Sequence, residues 1–406
     1  MQVVIKRYDA EGQVYMKLEL PRHTERFGSV KINDIQRVLL LDSAEDGTSE
    51  QTGVCSIPRN KLQDIQRKMA IVIPVKDEKL KIVEGVLSAI PSECLVILVS
   101  NSTRKGVDRF RIELDMVEQH VHYTKRNIWM IHQRDPKVAE ALKRIEYTEL
   151  LDEQGQVRNG KTEGMILGML LAKAAEKDYV GFVDADNYVP GAVHEYVSIY
   201  AAGFHLSRSP YSMIRISWAS KPKVLEGSLY FSKWGRVSAV TNKYLNRVIS
   251  SFTGFETEVV KTSNSGEHAM TMKLAEILDF QPKFATEPSE IVSILENFGG
   301  IMAPTFTEPM EQGVEVFQIE TRNPHFHEER GEEHLRDMLV ASLSTVLSSS
   351  LCSDTIRKEI AEEFSKEQLR ARASEEAIKP FVNADAKSFL HHIAQNNTAF
   401  SFGEKA

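Results

Sequence analysis

From Met69 onward the chain alternates short, wholly apolar runs with amphipathic stretches, and each apolar run stops at a polar cluster. Ala70-Ile-Val-Ile-Pro74 leads into Val-Lys76-Asp-Glu78, and Cys94-Leu-Val-Ile-Leu-Val-Ser100 into Asn101-Ser102. Ile128-Trp-Met-Ile-His132 leads into Gln133-Arg-Asp135, and Val180-Gly-Phe-Val into Asp184-Ala-Asp186. Between them, Glu78 to Ile90 places Leu80, Val83, Val86 and Leu87 on one helical face, and Asp108 to His120 and Thr162 to Lys177 also read as helices. Apolar strands alternating with helices predict a parallel sheet covered on both faces. Ligands collect at the carboxyl ends of such strands, where all four polar clusters fall.

The last cluster carries the most chemistry. Strands alternate their faces, but at a frayed strand end an Asp-x-Asp pair can turn both carboxylates toward one cavity. Two buried anions are costly unless a cation neutralises them. Hard divalent metals take oxygen ligands, and Mg2+ usually shares its shell with substrate phosphates. Asp184 and Asp186 therefore point to a metal and diphosphate site, with a solvated turn as the plain competing reading.

Composition bounds the alternatives. The 406 residues, 42% hydrophobic and 26% charged, suffice for a large core. A formal net charge of -7 argues against a general nucleic-acid binder. Cys55, Cys94 and Cys352 lie far apart, which excludes a zinc ribbon and argues against a disulfide framework. The first twelve residues lack a signal-peptide core, and the richest apolar run, Met165 to Ala172, meets Lys173 too early to span a bilayer. The expectation is a cytoplasmic protein that binds neither membrane nor nucleic acid.

The flanks differ from this middle. Residues 1–67 read as short strands and turns packing on the core, with a polar loop from Asp42 to Thr52. Residues 68–190 read as one α/β half, 191–330 as a second half, and 331–406 as a mainly helical extension. Gly191 to Gly203 reads as a helix, and Met213 to Trp218 and Gly227 to Phe231 as strands. Trp234 to His268, rich in Gly, Ser, Thr and Asn, reads as functional loops. The apolar spacing of Leu335, Met338, Leu339, Leu343 and Val346 marks the extension as helical.

One motif misleads. Gly155-Gln-Val-Arg-Asn-Gly160-Lys161-Thr162 fits the phosphate-loop pattern of nucleotidases. Such a loop must follow a buried strand, yet Glu146 to Glu153 is acidic and poorly patterned for one. Lys161 keeps its interest, because a Gly-Lys pair at a helix start can meet a phosphate.

A longer series of blocks points to a family. These are Leu20-Pro-Arg-His-Thr-Glu-Arg-Phe-Gly28, Glu84-Gly-Val-Leu-Ser-Ala-Ile-Pro91, Gly160-Lys-Thr-Glu-Gly-Met165 and Tyr179-Val-Gly-Phe-Val-Asp-Ala-Asp-Asn187. They continue with Pro190-Gly-Ala-Val193, Gly266-Glu-His-Ala269 and Gln318-Ile-Glu-Thr-Arg-Asn-Pro-His325-Phe-His327. In this order they resemble the mannosyl-3-phosphoglycerate synthases, retaining glycosyltransferases of the GT-A type. Asp77 departs from the Asn expected in the first strand-end loop, and residues 3–16 and the last sixty or so match no motif. The resemblance implies an α/β fold with a GT-A type, Rossmann-like, mostly parallel sheet. It also implies transfer of mannose from GDP-mannose to the 2-hydroxyl of 3-phosphoglycerate, with a divalent metal, Mg2+ or Mn2+, and leaves a homodimer open.

Roles follow residue by residue. Asp186 is the first choice for direct metal ligation, Asp184 for the ribose hydroxyls or an outer-shell role, and Glu267 for a ligand or for orienting the sugar. His325 or His327 could complete the metal shell, since imidazole suits Mn2+ or Zn2+. Pro74, Lys76, Glu78, Ser100, Asn101 and Gln133 line the strand ends as candidates for guanosine, with Lys161 for the diphosphate. Gly235, Arg236, Ser238 and Thr241 form a candidate clamp for the acceptor phosphate, with Arg322 next in line or anchoring its own loop. The competing functions are a glucosyl-3-phosphoglycerate synthase, a phosphate-loop nucleotidase and a non-catalytic nucleotide-sugar sensor.

Overall fold

The structure is a computed structural model and describes residues 13–46, 52–187, 189–225, 228–232, 235–283, 285–326, 331–371, 376–395 and 399–402. The chain opens with β1 (Gln13–Glu19), β2 (Thr24–Phe27), β3 (Val30–Asn33), β4 (Gln36–Asp46), β5 (Val54–Pro58) and α1 (Arg59–Arg67). The predicted alternation follows as β6 (Met69–Val75), α2 (Leu80–Ala89), β7 (Leu95–Ser100), α3 (Arg109–Thr124) and β8 (Ile128–His132). After α4 (Pro136–Arg144), α5 (Lys161–Ala174) feeds β9 (Tyr179–Phe182).

The second half runs α6 (Pro190–Leu206), β10 (Tyr211–Ser217), β11 (Lys221–Leu225), β12 (Ser228–Ser232) and α7 (Arg236–Thr253). Then come β13 (His268–Thr271), α8 (Met272–Ala275), α9 (Thr286–Phe298), α10 (Glu308–Gln312) and β14 (Val314–Glu320). The chain closes with α11 (Gly331–Ser348), α12 (Asp354–Lys366), α13 (Ala386–Gln395) and β15 (Ala399–Phe402).

Among the described residues one 13-stranded sheet runs β15-β8-β7-β6-β9-β13-β10-β14-β4-β1-β5, with β2 and β3 joined beside β14. Its heart, β8-β7-β6-β9, is parallel, as the alternating apolar runs predict. Beyond β9 the sheet is mixed: β13 is antiparallel to both neighbours, and β14 is again parallel to β10. Both faces are buried. In β6, Ala70 and Val72 face one core, and Met69, Ile71, Ile73 and Val75 the other. That is the period of two expected of a strand covered on both sides. Helix α5 lies close to β6 because Gly168 has no side chain; a Cβ there would fall 2.3 Å from Val72 Cγ1.

Two expectations change. The stretch read as loops after Trp234 contains an 18-residue helix, α7. Its Ser, Thr and Asn content hid an amphipathic face, with Val237, Thr241, Tyr244, Leu245, Val248 and Ile249 buried at helical spacing. The extension is helical as predicted, but it ends in β15, which pairs antiparallel with β8 and covers that edge of the sheet.

Candidate active site

Strand direction gathers the site. Parallel β6, β7, β8 and β9 bring their carboxyl ends to one edge. Strand β13 runs the other way, and its first residue, His268, pairs with Phe182 and with Arg215. Residues just before β13 therefore meet residues just after β9 and β10. That geometry sets Gly266 and Glu267 against Asp184 and Asp186. Gly266 is required here, since a Cβ would fall 2.5 Å from Asp184 Oδ2.

Two side chains, Asn187 and Lys161, hold the carboxylates. Asn187 Nδ2 donates to Glu267 Oε1 at 2.7 Å and to the Asp184 carbonyl at 2.9 Å. Lys161, at the start of α5, lies 2.7 Å from Asp184 Oδ1 and 2.9 Å from Glu287 Oε1. Burial opposes the charge on Lys161, but Asp184 and Glu287 outweigh it and raise its pKa. Glu267 is fully buried, and its pKa is pushed up to about 8, first by burial and then by the Asp184 charge; Asp186 adds to it. Its Oε2 is buried with no hydrogen-bond partner.

Such a cluster is short of positive charge. A buried carboxyl oxygen without a partner, beside two aspartates, is the oxygen-rich donor set that a hard divalent cation prefers. Among the described residues no three His, Cys, Asp or Glu side chains close into a protein-only metal cage. A cation here would share its shell with substrate and water oxygens, as Mg2+ commonly does.

The metal candidates divide. Asp186 is buried at the site. His325 is buried, its ring stacked on Trp218 at 4.4 Å between centroids, and Tyr196 Oη lies 3.2 Å from its Nδ1. His327 lies outside the described residues.

The donor candidates all stand at the predicted edge, with distinct occupations. Pro74 and Glu78 are half-buried and Lys76 is exposed. The Glu78 carbonyl accepts from Arg109 Nη2 at 2.6 Å. Asn101 Nδ2 donates to Asn159 Oδ1 at 2.7 Å. Ser100 donates its hydroxyl to Glu113 at 2.7 Å, and Gln133 Nε2 donates to the carbonyls of Arg158 and Gly160. These last two side chains hold the loops together from within.

The phosphate-loop pattern has another explanation. The segment before α5 is a turn closed by a single bridge between Leu151 and Val157, not a strand of the sheet. Thr162 Oγ1 hydrogen-bonds to the carbonyls of Gln281 and Lys283. A Cβ on Gly160 would fall 2.9 Å from Lys283 Cα, so this glycine serves close packing.

On the acceptor side, Gly235 caps α7, and Arg236 and Ser238 stand in its first turn. Thr241 Oγ1 donates to the Val237 carbonyl within the helix at 2.9 Å. Trp234 lies outside the described residues. Arg322 anchors its own loop: Nη1 donates to the Leu39 carbonyl at 2.5 Å, while its N–H donates to Glu195 Oε1 at 2.7 Å.

Sequence reading missed Asn187, Glu287, Trp218 and Lys221. Asn187 follows the Asp-x-Asp pair directly and could have been found there. Glu287 meets Lys161 only through the packing of α9 against α5's start. Lys221 Nζ lies 3.9 Å from the Trp218 ring centroid and 3.7 Å from where a Gly235 Cβ would stand.

The profile of the mannosyl-3-phosphoglycerate synthase family matches residues 20–393. A mannosyl-3-phosphoglycerate synthase of Pyrococcus furiosus is 47% identical over 394 residues, covering 96% of this chain and 100% of the relative. One from Aeropyrum pernix is 39% identical, covering 95% and 100%. Among solved structures, a glucosyl-3-phosphoglycerate synthase from Mycobacterium tuberculosis in complex with phosphoglyceric acid matches with TM-score 0.48 and 16% identity, over 76% of this chain and 88% of that one. The site geometry and these full-length relatives agree, and the chain belongs to the mannosyl-3-phosphoglycerate synthase family.

Proposed function

We propose that this chain transfers mannose from GDP-mannose to the 2-hydroxyl of 3-phosphoglycerate with retention, giving mannosyl-3-phosphoglycerate and GDP. The observation that carries this reading is the Asp184, Asp186, Glu267 and Lys161 cluster, in a chain 47% identical along its length to a mannosyl-3-phosphoglycerate synthase.

Asp186, beside Glu267, would hold a divalent cation whose shell substrate oxygens complete; when bound, it offsets the charge that develops on the departing diphosphate. The protein's own residues do the remainder. Lys161 brings a fixed ammonium to the phosphates from the start of α5, where backbone N–H groups also favour an anion. Burial and then the neighbouring Asp184 charge raise the Glu267 pKa, which favours its protonated form until a cation binds beside it. Protonated, it can donate to a sugar hydroxyl; ionised, it can only accept. Arg236, Ser238 and the first turn of α7 receive the acceptor's phosphate, since a net-negative chain must concentrate donors locally. Attack from the leaving-group face then needs positioning and neutralisation more than a protein nucleophile.

Product analysis tests the reading: GDP-mannose, GDP-glucose and UDP-glucose are each supplied with 3-phosphoglycerate and Mg2+ or Mn2+. Mannosyl-3-phosphoglycerate from GDP-mannose is the expected main product. Preferential use of UDP-glucose would replace this assignment with a glucosyl transfer.

A further inference from the structure

A buried carboxylate outside the reacting cluster ties together two of the strand-end loops. Glu113 on α3 is 1% exposed. Its Oε1 accepts from Ser102 Oγ at 2.6 Å and its Oε2 from Ser100 Oγ at 2.7 Å. Each hydroxyl, its proton committed to Glu113, accepts a backbone N–H. Ser102 Oγ takes that of Asp77 at 2.7 Å, and Ser100 Oγ that of Ser102 at 3.2 Å. Asp77 Oδ1 then accepts the Thr103 N–H at 2.9 Å, which closes the β6–α2 loop onto the β7–α3 loop. His132 adds a third hold, its Nε2 lying 3.0 Å from the Ser102 carbonyl.

Asp77 has φ 56, in the left-handed region where a non-glycine residue persists only when its surroundings hold it. The Ser102 hydroxyl and the Thr103 amide provide that hold. The polarity of the network comes from one fact: a carboxylate can only accept. Both serine hydroxyls must donate inward and present lone pairs to the loop backbone. An amide in place of Glu113 would offer an N–H to one hydroxyl. That hydroxyl would then accept from two sides and turn its proton away from both.

We propose that Glu113 is a positioning residue for the donor nucleotide, fixing the Asp77 and Ser100–Thr103 loops in one arrangement through the two serine hydroxyls. This rests on the reading that the ends of β6 and β7 receive the nucleotide. Burial raises the Glu113 carboxyl above its ordinary value, against the pull of the Ser102 and Ser100 hydrogen bonds.

The experiment uses the full chain as wild type, Glu113→Gln and Ser102→Ala. KM for GDP-mannose should rise about tenfold in Glu113→Gln, the order expected for one mis-set buried hydrogen bond. KM for 3-phosphoglycerate should stay near wild type, and the melting temperature should fall no further than the loss of one buried hydrogen bond explains. Ser102→Ala, which removes only a hydroxyl, should shift KM for GDP-mannose in the same direction and serves if the first variant folds poorly. A lowered melting temperature with both KM values unchanged would overturn the proposal and leave Glu113 a structural anchor. Amide exchange with GDP and Mn2+ separates the underlying reading. Protection of residues 76–78 and 100–103 in the wild type supports it, and its absence removes both the reading and the proposal.

Discussion

Lys161 Nζ sits 2.7 Å from Asp184 Oδ1 and 2.9 Å from Glu287 Oε1, so one ammonium joins the end of β9 to the start of α9. Lys161 and Glu287 are 126 residues apart in sequence. Diphosphate binding would draw that ammonium toward the phosphates and release Asp184 for substrate or metal. Lys161→Ala should raise KM for GDP-mannose by about tenfold or more, as loss of a charge-assisted contact does. The wild type should hydrolyse neither ATP nor GTP at a significant rate, and strong hydrolysis abolished in the variant would revive the phosphate-loop reading.

Asp186→Ala should reduce turnover by about two to three orders of magnitude, the scale of a lost electrostatic stabiliser. Excess chelator should silence the wild type, and Mg2+ or Mn2+ should restore it. Full activity in chelator, with metal content measured independently, would remove the cation from the mechanism.

Arg236→Ala should raise KM for 3-phosphoglycerate by about tenfold to a hundredfold and leave KM for GDP-mannose nearly unchanged. Arg236→Lys should recover only part, since an ammonium cannot supply the two-pronged contact of a guanidinium. Wild-type use of acceptor by both variants would move the clamp elsewhere, with Lys221 the first residue to test because of its place beside Gly235.

Arg215 is fully buried, with Nη1 2.9 Å from Glu290 Oε2, and His268 Nε2 lies 2.9 Å from Glu290 Oε1. Arg215 also donates to the carbonyls of Thr262, Ser263 and Glu287, pinning the segment that leads to Glu267. Glu290→Ala leaves that guanidinium buried and unpaired and should cost about 3–5 kcal/mol of stability. Urea titration reads this directly, and a loss below about 1 kcal/mol would contradict the account.

His132 gives a pH signature. Burial holds its pKa below the ordinary histidine value, against the Ser102 hydrogen bond, and its Nδ1 is buried without a partner. As pH falls through about 6.5 the unfolded chain takes a proton that the folded chain refuses. The stability present above that pH is therefore lost as the solution is acidified toward the depressed folded value. Urea midpoints at pH 7.5 and about 5.5 should differ less in His132→Gln than in the wild type. Equal differences in the two proteins would assign the acid sensitivity to other groups.

By itself the sequence determined the parallel heart of the sheet. Continuous apolar runs such as Ala70 to Pro74 and Cys94 to Ser100 can be satisfied only with both faces covered. The polar clusters closing those runs marked the edge where ligands gather, and Asp184-Ala-Asp186 stood out because paired carboxylates need a reason to be buried. Local pattern failed where polar side chains lie on a helix, as in α7, whose buried face outweighs its Ser, Thr and Asn content. Only the tertiary structure could decide the partners. Strand β13 had to run antiparallel to β9 before Glu267 could meet Asp184, and α9 had to pack beside α5 before Glu287 could meet Lys161. Likewise, the inward turn of the Ser100 hydroxyl depends on Glu113, thirteen residues away. Hydrogen-bond polarity and charge compensation belong to atoms brought together by folding, and sequence spacing carries no record of which distant group supplies the partner.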